Sequence, residues 1–282
     1  MKLNLILFLL LVTGSLYAQK ISYKILEENP DKAYTNFVAP GIGFEYNATN
    51  ISVSLGAAGR YNVTEAIALE GNMNYDVVQI NGTGAGFLVE AGLFLPLKTT
   101  ESQKEVPIVL SYNPYAGRKY ENGKAYNIEE TKYIRVPQGR YVKQFGIRGG
   151  IHNRNTGVEN LTGTLASSIF LSGIYVGGQM TNQTYIKTLV NDDVERIGAG
   201  FGRFYVDAIF FPVSNLGDEN ITTGDIKSDG SFGWRVGYQW YVSPHDGDYH
   251  YLGRSVFSAE LGQRPYAGFM FNVTWGWTVF NR

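Results

Sequence analysis

The chain has 282 residues, of which 17% are charged and 14% aromatic, with 34 glycines, 20 tyrosines, no cysteine and a formal net charge of −1. The missing cysteine excludes a disulfide framework, thiolate metal centres and a lipid anchor at a signal cleavage point. The near-neutral charge argues against nucleic acid as a partner, and so few charges among so many aromatics and glycines make a β-rich profile.

The chain opens with Lys2, the apolar run Leu3 to Leu11, and Thr13-Gly14-Ser15-Leu16-Tyr17-Ala18. This pattern predicts a signal peptide over 1–18, cut after Ala18, because the apolar core is shorter than the roughly 20 residues a membrane helix needs. Its removal takes one lysine and leaves 23 basic against 25 acidic side chains, a net of −2. No later segment offers 18 uninterrupted apolar residues, so no membrane helix is expected. Residues 19–38, with Glu27, Glu28, Asn29 and Pro30, read as a polar lead-in on the periplasmic side.

From residue 39 onward the signal is alternation, which a strand with one face in lipid and one in a polar interior must show. Two early strands, 39–46 and 50–60, meet at an Asn-rich turn. In 64–77, Ile67, Leu69, Met73, Tyr75 and Val77 oppose Ala68, Glu70, Asn72, Asn74 and Asp76. In 84–97, Phe87, Val89, Ala91, Leu93 and Leu95 oppose Leu88, Glu90 and Gly92. Strands follow at 106–115, 140–152, 164–180, 196–212, 231–242 and 266–280. In 164–180 the apolar face switches between Leu171 and Ile174, which calls for a bulge. In the last two, Phe232, Trp234, Val236, Tyr238 and Trp240, and then Phe269, Phe271, Val273, Trp275 and Trp277, form continuous apolar faces.

These ten strands predict an all-β fold, a transmembrane antiparallel up-and-down β-barrel over 39–282; eight or twelve strands also fit the periodicity. An even count places both termini in the periplasm and the long connections 116–139, 181–195 and 243–265 outside, with 213–230 left as an overlong periplasmic turn. Trp234, Trp240, Trp275 and Trp277 are expected at the membrane interfaces, Trp240 at the end opposite Trp275 and Trp277. The final strand, Trp277-Thr278-Val279-Phe280-Asn281-Arg282, resembles the C-terminal assembly signal of bacterial outer-membrane barrels, with alternating aromatics and a near-terminal Phe followed here by two polar residues. The resemblance implies an outer-membrane location.

This register sends Glu45, Glu70, Glu90 and Asp207 into the lumen with Arg60, Arg148, Arg203 and Arg235. Balanced signs in a narrow bore predict a filled interior of ion pairs rather than a charge-selective channel. The one candidate for chemistry is His245-Asp246-Gly247-Asp248-Tyr249-His250, two histidines and two aspartates in a loop that could activate water; the same composition is ordinary solvated turn chemistry. Asn191-Asp192-Asp193 lacks the ligand spacing of a calcium loop, and Gly198 to Gly202 lacks the strand-then-helix setting of a nucleotide site. The expectation is therefore a non-enzymatic structural or accessory subunit of an envelope assembly, with no metal or cofactor, contacting outer-membrane lipid and an envelope protein. A narrow passive pore for small solutes and a loop-centred hydrolase are the alternatives, and a soluble β-sandwich is the competing fold.

Overall fold

A computed structural model describes residues 21–30, 36–47, 50–64, 66–80, 86–159, 166–216, 231–241, 255–265 and 267–281. The strands are β1 (Tyr23–Glu28), β2 (Phe37–Asn47), β3 (Ile51–Thr64), β4 (Ile67–Gln79), β5 (Phe87–Glu121), β6 (Lys124–Glu159), β7 (Ala166–Val190), β8 (Val194–Leu216), β9 (Phe232–Tyr241), β10 (Ser255–Arg264), β11 (Gly268–Trp277) and the short β12 (Phe280–Asn281). Strands β2 to β11 pair in chain order, every pairing antiparallel, and β11 returns to β2 from Met270↔Asn47 to Gly276↔Gly41. Ten strands thus close an up-and-down barrel, and β12 continues the seam along β2 at Phe280↔Val38.

Closure leaves each strand one face inside and one outside. On β9, Trp234, Tyr238 and Trp240 are exposed outward while Arg235 and Gln239 are buried inward. The same division runs along β2, where Ile42, Phe44 and Tyr46 face out against Glu45, and along β4, where Leu69, Met73 and Tyr75 oppose Glu70 and Asp76. Apolar outside and charged inside is the reverse of a water-soluble barrel.

The strand count matches the sequence expectation, but its members differ at two places. Segment 106–115 does not cross the barrel: it is the outer part of β5, which continues with β6 as a two-stranded ribbon to Tyr120↔Ala125. Asn122 and Gly123, with φ of 51° and 75°, close this ribbon in a tight turn of the kind an Asn-Gly pair favours. The alternation at Val106 and Ile108 is real, but these side chains pack with Ile134 and Val136 against Ile186 and Val190 of β7, away from lipid. The crossing strand in its place is β10, inside the segment expected as the loop 243–265. Its outward Phe257, Ala259 and Leu261 are too few to stand out beside Ser258, Glu260 and Arg264.

Exchanging those two strands reverses the expected sides of the connections between them. The ribbon that holds 116–139, the β7–β8 hairpin that holds 181–195, and the facing ends of β9 and β10 at Tyr241↔Val256 all lie at the end of the barrel that carries Phe37 and Trp277, here the termini end. The last residues of β8 and the first of β9, paired at Phe210↔Phe232, stand at the far end, so the link expected in 213–230 joins strand ends there and not on the termini side. Trp240 likewise joins Trp275 and Trp277 at the termini end, because β10 separates β9 from β11 and makes those two run in the same direction.

The bulge expected near Leu171 to Ile174 lies at that place, between Ser172↔Val213 and Ile174↔Phe210, with the extra residue on β8. The inward face of β7 nevertheless does not switch: Ile169, Leu171 and Tyr175 all point inside, where they pack with Ile209 and Phe211. Beyond the barrel, β6 leaves β7 after Tyr141↔Thr184, and β1 takes over that edge at Tyr23↔Val190. The Glu28 carboxylate accepts the backbone N–H of Arg140 and ties β1 to the base of the ribbon.

Candidate functional site

The lumen is the candidate site, and it is layered. At the termini end Phe37, Ala39, Ala199, Phe201, Tyr241 and Val256 converge in an apolar cluster, with Phe37 6.4 Å from the rings of both Phe201 and Tyr241. Deeper inside come the charged side chains. Among the described residues the buried acids are Glu45, Glu70, Asp76, Glu90, Asp207 and Glu260, and the buried bases Arg60, Arg148, Arg154, Arg203, Arg235 and Arg264, six of each, together with His152.

Two of these groups act as hubs. Glu70 receives Arg60 and Arg203, each at 2.6 Å, with Arg148 at 3.9 Å and the Gln179 amide donating at 2.9 Å. Arg235 is the mirror image: it pairs with Glu90, with Asp207 at 2.7 Å and with Glu260 at 3.8 Å. Arg148 joins the two through Asp207 at 3.6 Å. A third cluster toward the far end holds Glu45 between Arg154 at 3.2 Å and Arg264 at 2.9 Å, with Asp76 on Arg154 at 2.9 Å.

Two tyrosines knit the hubs. The guanidinium of Arg148 lies 4.1 Å from the Tyr205 ring centre and 4.9 Å from that of Tyr175, and Arg235 lies 4.8 Å from Tyr175. The Tyr205 hydroxyl donates to Glu260. Both rings occupy space that inward glycines leave open: a Cβ at Gly92 would collide with the Tyr175 phenol, and one at Gly237 with that of Tyr205. Glycine serves here by admitting a neighbour's ring. His152 is fully buried, pairs through Nδ1 with Glu90 and stacks edge-on against Phe211 at 5.4 Å.

All eight lumen residues read from the sequence, Glu45, Arg60, Glu70, Glu90, Arg148, Arg203, Asp207 and Arg235, are buried inside, and seven of them belong to the two hubs. Glu45 sits apart with Arg154 and Arg264. Glu260 and Arg264 fall outside the lumen set expected from the sequence because their strand lies in the segment 243–265, whose pattern is that of a loop. Tyr175 and Tyr205 fall outside it because the outward Val176, Phe204 and Val206 beside them are apolar too, which hides the alternation.

The four tryptophans face outward. Trp240, Phe257 and Trp275 stack across β9, β10 and β11 with centroid spacings of 5.4 and 5.9 Å, and Trp275 meets Trp277 at 4.3 Å. Trp234 lies nearer the far end of β9 and donates its indole N–H to Gln263 Oε1 at 3.4 Å. Residues 245–250, the candidate for chemistry, lie outside the described residues. Asn191 and Asp192 form the β7–β8 turn, with φ of 51° and 57°.

Space is scarce within the hubs. The void bordered by Glu70, Glu90, Arg148, Tyr175, Tyr205 and Glu260 measures about 20 Å³, room for roughly one water. A larger cavity of about 360 Å³ opens at the termini end beside the apolar cluster, lined by Arg60, Asn62, Phe94, Glu101, Arg140 and Gln144 among others. At its rim Arg140 forks onto Glu101, Nε to Oε2 at 2.9 Å and Nη2 to Oε1 at 2.5 Å. That hydrogen bonding holds the Glu101 carboxyl below the usual carboxylate range.

No protein-family model matches the chain, and no curated protein matches it. Among solved structures it is similar to a loop L8 deletion mutant of OmpT, an outer membrane protein of Vibrio cholerae, at 10% identity and a TM-score of 0.20 over 92% of this chain and 99% of that one. It is similar also to OprB of Pseudomonas putida, in a low-pH structure, at 7% identity and a TM-score of 0.18 over 88% and 93% of the two chains. Superpositions this loose leave the functional reading to the chain's own side chains.

Proposed function

We propose that the protein is an integral outer-membrane β-barrel that does not conduct, a non-enzymatic structural or accessory subunit anchored in lipid, with both termini and the β5–β6 ribbon in the periplasm. The membrane part of this reading is supported by the exposed apolar side chains on the outer face of the ring. Only a closed barrel or a helix satisfies its backbone in hydrocarbon, and closed barrels of this kind are built into outer membranes.

The single observation that carries the non-conducting part is the interlock of the two hubs across the bore, where the void that they border among the described residues measures about 20 Å³. An ion entering would have to displace buried charge pairs, and breaking one such pair costs about 3–5 kcal/mol. The accessory role is supported by what stands outside the barrel. Along the ribbon Tyr115, Tyr120, Tyr126 and Tyr133 are exposed among the charges of Lys119, Glu121, Glu130 and Lys132, a surface suited to contact with another envelope component.

Planar-bilayer recording of the purified, heat-modifiable protein tests the reading. Silence at all voltages is the expected outcome. Reproducible current steps would favour the passive-pore alternative, and a mature chain that stays monomeric in buffer without detergent would remove the membrane premise altogether.

A further inference from the structure

The 360 Å³ cavity at the termini end falls within the roughly 300–1,000 Å³ of small-ligand pockets, and the ion network does not fill it. Its lining mixes the buried Arg60 with the hydrogen-bonding side chains of Asn62, Thr99 and Gln144 and the apolar surfaces of Phe94 and Val142. The charge behind that lining is lopsided. Arg60 belongs to the hub in which three guanidiniums share Glu70, while the carboxylates that restore the balance gather at Arg235. At the rim Glu101 is already held by the Arg140 fork. The Arg60 Nε–H has no hydrogen-bond acceptor among the described residues, and its guanidinium is flanked by the rings of Phe94 at 5.4 Å and Phe201 at 5.2 Å.

We infer that this cavity binds a small organic anion, a carboxylate or a phosphate ester, with its acidic group at Arg60 and its body against Phe94 and Val142. A carboxylate or phosphate oxygen would give Arg60 a charge-assisted hydrogen bond and would neutralise part of the cationic surplus around Glu70. A neutral solute gains neither. The inference rests on the closed-barrel reading in one respect: beneath the cavity lie the hubs, so the anion binds and leaves by the same mouth and does not cross.

The test is thermal unfolding of the full-length protein in an amine-oxide detergent, titrated with succinate, with inorganic phosphate, and with maltose as the uncharged comparator. A saturable rise in midpoint with an anion is expected, weaker at high ionic strength and absent with maltose; the larger of the two anion responses tells carboxylate from phosphate chemistry. Asn62→Trp should fill the cavity and leave the Arg60–Glu70 ion pair in place, since residue 62 carries no charge and its backbone N–H keeps its bond to Asn36. It should weaken the apparent affinity at least about tenfold. No saturable rise, a rise that grows linearly as general salting-out does, an equal response to maltose, or an undiminished response in Asn62→Trp would each overturn the site. Bilayer recordings on the same preparation keep the two readings apart: current steps with an intact anion response sink the closed barrel alone, and silence without an anion response sinks the site alone.

Discussion

Around Glu70 three guanidiniums share one carboxylate, whereas around Arg235 three carboxylates share one guanidinium, and the two hubs differ in what else holds their surplus charge. The surplus arginines lie over aromatic rings: Arg60 over Phe94 and Phe201, Arg203 over Tyr205, and Arg148 over Tyr205 and Tyr175. A ring face attracts a cation and repels an anion, so the surplus carboxylates depend on donors instead. Glu260 accepts from Tyr205, Glu90 faces His152, and Asp207 is shared with Arg148. The lesson is an asymmetry. In these hubs aromatic faces supply a diffuse second support for the surplus cations, while the surplus carboxylates Glu90, Asp207 and Glu260 share Arg235 and otherwise rest on single directed contacts from His152, Arg148 and Tyr205.

The largest effect should therefore come from Arg235→Met, which strips the common partner from Glu90, Asp207 and Glu260. Breaking one buried pair costs about 3–5 kcal/mol, so the variant should lose at least that much in urea unfolding from lipid vesicles, or fail to reach the heat-modifiable form. Glu70→Gln should cost less, roughly 1–3 kcal/mol, because its three arginines keep their rings and Arg148 keeps Asp207. If Glu70→Gln proves the more damaging of the two, the aromatic faces do not support the cationic hub and the asymmetry is wrong.

How much of this was legible in the sequence follows from the same physics. Where the outer face is apolar and the inner face carries charge, the period of two is clean, as in β4 and β9, and it is visible in the sequence of those strands. The period misleads where something other than lipid covers the apolar face. Val106 and Ile108 alternate like lipid-facing residues but pack on Ile186. It fades where the interior is itself apolar, as along Phe201, Tyr205, Ile209 and Phe211 of β8, all buried inside. It is lost in β10, whose ten residues carry Glu260, Gln263 and Arg264. The hubs themselves could not be read in one dimension, because Arg60 and Arg203, which share Glu70, stand on strands far apart in sequence.

The exposed pair at the cavity rim marks the small end of the comparison. Arg140 and Glu101 make a two-pronged contact at 2.9 and 2.5 Å, yet both side chains remain about half exposed. Water and salt screen such a pair, so geometry alone adds little, and Glu101→Gln should leave the unfolding midpoint at neutral pH essentially unchanged. The sign of any residual contribution is still fixed. Because Arg140 lowers the folded-state pKa of Glu101, the contribution is present above the unfolded value of about 4.3 and disappears as pH falls through the lower folded value. Wild type and Glu101→Gln should thus converge in acid, with any difference confined to higher pH. A gap that widens as the pH is lowered would mean that the carboxylate is destabilised in the fold, opposite to what the fork onto Arg140 requires.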